Sequence, residues 1–154
     1  MTNETDIEKI TAIVKEFLEK MTIPVLTVQV NTTTEDAADI EITMDEAHFL
    51  IGQNGQTLVD LQRIFRMLAN KAFGHTIHLA LDINDYSRKK KDYLKNLAKN
   101  VANEVFLTRQ KKILPPMSAY ERRIIHAELA GRQDIISESQ GEGLDRRVVV
   151  SPVI

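Results

Sequence analysis

The sequence predicts an α+β protein built of two small modules, and three observations predict it. Short alternating apolar runs lie between longer stretches whose apolar residues recur at three and four, so strands and helices interleave. Each strand-like run has one apolar face, so helices cover that side of a sheet and leave the other to water. The pattern restarts near Ile83–Asp85, which divides the 154 residues into 1–83 and 84–154.

The elements follow in order. Ile7, Ile10, Val14, Phe17, Leu18 and Met21 form one stripe, a helix that ends before Pro24. "LTVQV" turns Leu26, Val28 and Val30 one way, and "IEITM" does the same with Ile40, Ile42 and Met44. They read as antiparallel strands joined by the polar turn "NTTTEDA". "DEAHFLI" is a short helical segment ending at Gly52. After Gly55 a longer helix carries Leu58, Leu61, Phe65, Leu68 and Ala72, and Gly74 ends it. "HTIHLALDI" is a third strand with Ile77, Leu79, Leu81 and Ile83 on one face.

The second module opens with a long helix through Tyr86, Lys90, Tyr93, Leu94, Leu97, Val101 and Val105, which Asn84 or Asp85 can cap. "KKILPPM" is extended, because its prolines forbid helix. "SAYE" is a capping box in which Ser118 and Glu121 each satisfy the other's amide. That helix runs to about Ala130, with Gly131 closing it. "DIISES" and "RRVVVSP" are two strands joined by the loop "QGEGLD". The two modules are expected to pack against each other.

Composition narrows the function. There is no cysteine, hence no disulfide, thiolate nucleophile or cysteine-based zinc site. No apolar run approaches the ~20 residues that span a bilayer. "MTNETDIEKI" has no basic start and no apolar signal core, so a cytoplasmic protein without membrane contact is expected. Net charge is −2, but it is unevenly placed. Residues 1–50 hold three bases and eleven acids, and residues 51–134 hold fifteen bases and eight acids. A basic excess that starts at the glycine pair suits a polyphosphate ligand, though a solvated helix face explains it equally well.

Two groups of residues carry chemistry. In Gly52-Gln53-Asn54-Gly55 a bare backbone opens a helix, so a phosphodiester strand can lie close to it. The amides of Gln53, Asn54, Gly55 and Gln56 would face that strand, helped by the helix dipole. The plain alternative is a helix–turn–helix link. Arg122 and His126, four apart, share one helix face. Arg offers a fork and His one ring nitrogen to a shared phosphate. A phosphate there would favour the imidazolium, so binding would strengthen as pH falls from about 7.5 to 6. The plain alternative is that His126 props up the hairpin. His75 and His78 face opposite ways in a strand and make no metal site. Asp82, Asp85 and Asp92 read as caps, and the tyrosines as core. No cofactor is expected, and neither a catalytic constellation nor a Walker lysine is present.

The first module's order of elements resembles a bacterial-type (type II) KH domain, with 52–55 in the place of its G-x-x-G loop. The loop's central pair is neutral here, so its positive charge would come from Arg63, Arg66 and Lys71. "PMSAYERRIIHAEL" and "SESQGEGLDRRVVVSP" resemble the R-three-H domain, a single-stranded nucleic-acid module, with Arg146 at its hairpin arginine and "GLD" in place of a Pro-aromatic pair. The pair in this order closely resembles the Jag (SpoIIIJ-associated) family of bacterial RNA-binding proteins. The resemblance implies a non-enzymatic binder of single-stranded RNA or DNA with a regulatory role in envelope growth or division. The rival expectation is a protein-interaction module that pairs with another KH protein or with its own copy.

Overall fold

The computed structural model describes residues 4–154; residues 1–3 of the expected first module lie outside it. The chain forms two compact units, one ending at Ser87 and the other starting at Arg88.

The first unit contains α1 (Glu4–Lys20), β1 (Thr27–Thr34), β2 (Ala37–Thr43), α2 (His48–Ile51), α3 (Gln56–Phe73) and β3 (His78–Ile83). Its sheet has the order β1-β2-β3, with β1 and β2 antiparallel and β2 and β3 parallel. Ile40, Ile42, Leu79, Leu81 and Ile83 face inward against Ile10, Val14 and Leu18 of α1 and Leu58, Leu61 and Phe65 of α3. Phe65 is fully buried and meets Phe17 edge-on at 5.3 Å. The opposite sheet face, with Gln29, Glu41 and His78, is exposed.

Four expectations change here. The threonine run is strand, so the turn shrinks to Glu35–Asp36; β-branched residues favour the extended chain. Leu26 precedes β1 and is exposed. Ala69, one step of four beyond Phe65, takes the buried position assigned to Leu68 and Ala72. His75 lies outside β3 and pairs with Asp36 at 3.5 Å.

The second unit is built on α4 (Tyr86–Thr108), whose first two residues still belong to the first unit, and on β4 (Lys112–Ile113), α5 (Ala119–Leu129), β5 (Ile135–Gln140) and β6 (Arg147–Pro152). β6 is central, with β4 and β5 antiparallel on its two sides. Leu94, Ala98 and Val105 of α4 meet Ile125 and Leu129 of α5 over Val148 and Val150 of β6.

Local chemistry sets the helix starts. Asp82, one of the carboxylates expected to cap, accepts from the Ser87 amide at 3.0 Å at the start of α4. Asn84, at φ 51°, instead grips Met44 from both sides, accepting from its N–H at 3.0 Å and donating to its carbonyl at 2.8 Å. The capping box of α5 forms as expected, with Glu121 accepting from Ser118 N at 2.8 Å and Ser118 Oγ accepting from Glu121 N at 3.2 Å. Gly131, expected to close α5, is not in the left-handed conformation; the helix ends at Leu129 without one.

Candidate nucleic-acid interface

The glycine loop is a single 3-10 turn, Gln53–Gly55, between α2 and α3. Gly52, Asn54 and Gly55 all have positive φ, of 73°, 54° and 78°. Both glycines are also needed for space. A Cβ at Gly52 would stand 2.1 Å from Thr57 Oγ1, and one at Gly55 would stand 2.9 Å from the Tyr86 ring. Gly55 is buried, so the second glycine admits the protein's own tyrosine and not an outside backbone.

The amides divide as well. Gly55 N–H donates to Gly52 O at 3.3 Å and Gln56 N–H donates to Gln53 O, so the turn itself uses two of the four expected donors. Gln53 and Asn54, both exposed, remain to meet a ligand.

Of the three expected cations, Arg66 and Lys71 are directed or placed away from this loop, and Arg63 is tied to an acid beside it. Arg63 lies 3.7 Å from Asp60, which also accepts from the Gln56 side chain at 3.1 Å. Arg66 points to β3, where it donates to Leu79 O at 3.2 Å while its Nε is buried without a partner. Lys71 is roughly 22 Å farther along α3 by the helical rise. Charge divides the same way. The sequence through Ser87 holds six bases and fourteen acids, and from Arg88 onward fourteen bases and eight acids.

The basic unit holds the second site. Arg122 and His126 do share a face of α5, and β5 lies across it. The alternation of Ser137 and Ser139 puts both hydroxyls on one side of that strand. Arg122 Nη1 donates to Ser139 Oγ at 3.0 Å, and its Nε donates to Met117 O at 3.4 Å. His126 Nε2 lies 2.8 Å from Ser139 Oγ and Nδ1 lies 2.9 Å from Ser137 Oγ. A neutral ring closes this chain head to tail. Arg122 donates to Ser139, Ser139 donates to Nε2, and Nδ1–H donates to Ser137.

Arg146 belongs to the same hydrogen-bonded assembly. Its carbonyl accepts from Met117 N at 3.1 Å, and its guanidinium donates to Gly141 O at 2.8 Å across the hairpin loop. The two serines are the residues that sequence reasoning passed over; their Ser-x-Ser spacing on a strand was the available signal.

Burial, and then the charge of Arg122, hold His126 below the ordinary imidazole value. A proton on Nε2 would aim a second donor at an oxygen that already accepts from Arg122. In the unliganded protein both ring nitrogens are therefore occupied and the lowered pKa favours the neutral ring; the imidazolium expected with a bound phosphate is a different state. The sign follows. The fold favours the neutral ring, so its contribution is complete above about pH 6.5, the unfolded value, and is lost as pH falls from there toward the lowered folded value. Melting temperature should fall between pH 7 and 5 more steeply in the parent than in His126→Gln. Equal slopes would remove His126 from the linkage.

Among the described residues no group of three or more His, Cys, Asp or Glu could hold a metal, and no helix is long and apolar enough to cross a membrane. Residues 92–152 match the R-three-H domain. The chain is 38% identical over 118 residues to an RNA-binding protein KhpB of Clostridium symbiosum, covering 77% of this chain and 53% of that one. It is 37% identical over 112 residues to the RNA-binding protein KhpB of Bacillus subtilis, covering 71% and 54%. A third relative of that name, from Lactiplantibacillus plantarum, is 36% identical over 102 residues, covering 66% and 32%. The chain thus spans about a third to a half of the length of these relatives.

Proposed function

The chain belongs to the Jag family of KhpB proteins, and on that footing we propose that it binds single-stranded RNA, chiefly through the unit that starts at Arg88. The observation that carries this reading is the Arg122–Ser139–His126–Ser137 chain. It fixes one guanidinium on the surface of a unit with fourteen bases and eight acids. Arg122 Nη2 remains for a phosphate oxygen, and the Ser137 hydroxyl, whose hydrogen this chain leaves uncommitted, can donate to it as well. The role is binding without catalysis. It extends to regulation of envelope growth or division, which RNAs crosslinked to the protein in its own cells would report.

Salt tests the reading. With about three to five phosphates neutralised, log affinity for a single strand should fall linearly with log salt, with a slope of about −2 to −3.5. A salt-independent affinity would defeat it.

A second reading is favoured by the acidic first unit and its neutral loop: this half docks a protein, another KH module or a second copy, instead of RNA. Changing Gln53 and Asn54 to Asp separates the two. If the loop holds a phosphate, RNA affinity drops about tenfold, roughly 1.4 kcal/mol. An unchanged affinity assigns the loop to the protein partner.

A further inference from the structure

We infer that a groove between α4 and α5 is a second nucleotide site, in which a base of the single strand stacks on Tyr120 while its phosphates lie on Lys91, Lys95 and Arg123. The groove is about 360 Å³ in volume. Its floor is Ile124 and Ala127, and Lys91, Lys95, Arg123 and Tyr120 line it as well. Glu128 also borders it, and Lys99 bridges that carboxylate at 3.3 Å. None of the three groove cations has an ion-pair partner among the described residues. Tyr120 is 60% exposed and its ring touches no other ring or cation among the described residues. The expectation that the tyrosines are core fails at Tyr120: it stands in the first turn of α5, and the buried apolar residues of that helix, Ile124, Ile125 and Leu129, come after it.

The chemistry selects the occupant. An exposed aromatic face beside unneutralised cations on an apolar floor matches one nucleotide, a flat base with an attached anion. An acidic peptide would use the cations and leave the ring idle. On the helical wheel, Tyr120, Ile124 and Ala127 lie about 140–200° around α5 from Arg122, so this site is separate from the serine-linked one. One strand reaches both only if it is long enough to round the helix, and it then gains by linkage. The inference rests on the RNA-binding reading.

The sequence has no tryptophan, so Tyr120→Trp introduces a single reporter at the groove. A twelve-nucleotide oligoadenylate should quench its emission, whereas inorganic tripolyphosphate should not. Tyr120→Ala should bind the same oligonucleotide about tenfold more weakly, in the range of base–aromatic stacking. The triple change of Lys91, Lys95 and Arg123 to Ala should weaken it comparably, with an unchanged circular dichroism spectrum. The inference is overturned, with RNA binding intact, if the parent binds in a salt-dependent way while Tyr120→Ala binds equally well and the new indole is silent. Quenching by polyglutamate equal to that by RNA would assign the groove to an acidic peptide. A parent that binds no oligonucleotide would overturn both readings together.

Discussion

Arg122→Ala should weaken binding to single-stranded RNA by about thirtyfold. A charge-assisted hydrogen bond contributes roughly 1.5–3 kcal/mol, and thirtyfold corresponds to about 2 kcal/mol. The guanidinium is already held by Ser139 Oγ and Met117 O, so little side-chain entropy is lost when a phosphate arrives. The variant also loses these two bonds, which costs about 1 kcal/mol of stability and leaves the fold populated. Arg122→Lys sharpens the test. Lysine keeps the charge but has no planar fork, so it cannot hold Ser139, Met117 and a phosphate together. It should recover only part of the affinity. Filter-binding or fluorescence-anisotropy titrations at one salt concentration would measure all three proteins. Parental affinity in a folded Arg122→Ala protein would remove this residue, and with it the main proposed site.

Glu121→Ala should cost about 2–4 kcal/mol of stability in the second unit. Glu121 is 7% exposed, the only buried charged residue among those described. Its Oε2 accepts from Ser118 N at 2.8 Å, and its Oε1 lies 3.4 Å from Lys90 Nζ. One carboxylate therefore closes the N-terminus of α5 and ties it to α4. Loss of a cap costs roughly 1–2 kcal/mol, and removing one partner of a partly buried ion pair adds to it. Glu121→Gln keeps an oxygen for the Ser118 amide and loses only the charge, so it should restore more than half of the deficit. Chemical denaturation followed by circular dichroism would measure both. A loss below about 0.5 kcal/mol in Glu121→Ala would show that the box is ornamental. Arg122 is the next residue on the same turn, so Glu121→Ala should also weaken RNA binding modestly.

Periodicity made most of the fold legible. The stripes of α1, α3 and α4 and the alternation of β2 and β3 needed no partner to be seen. What stayed hidden was decided by contacts distant in the chain. The Thr32–Thr34 run could be turn or strand, and only β2 across the ladder decided it. Asn84 looked like a cap because its amide suits one; its place beside Met44, forty residues earlier, is a tertiary fact. The glycine loop was located correctly by its spacing, but the reason for its second glycine, the ring of Tyr86, lies thirty-one residues away. Arg122 and His126 were found by their step of four. Their serine partners were readable from the Ser137–Ser139 alternation once β5 was placed opposite them. Tyr120 was misread because a spacing of three and four marks a face without saying whether anything covers it.

The parallel pairing of β2 with β3 has a consequence for how the molecule assembles. Ala37 meets His78 across forty-one residues of chain, whereas Gln140 meets Arg147 across seven. Closing the longer loop costs roughly 1.6 kcal/mol more in chain entropy. The β5–β6 hairpin is therefore the local, quickly closing element, and β3 docks only after a long search. The serines that hold His126 stand on the quick element. The glycine loop lies inside the segment that the slow closure must gather. The two candidate sites differ in charge and also in how early in folding the chain can complete them.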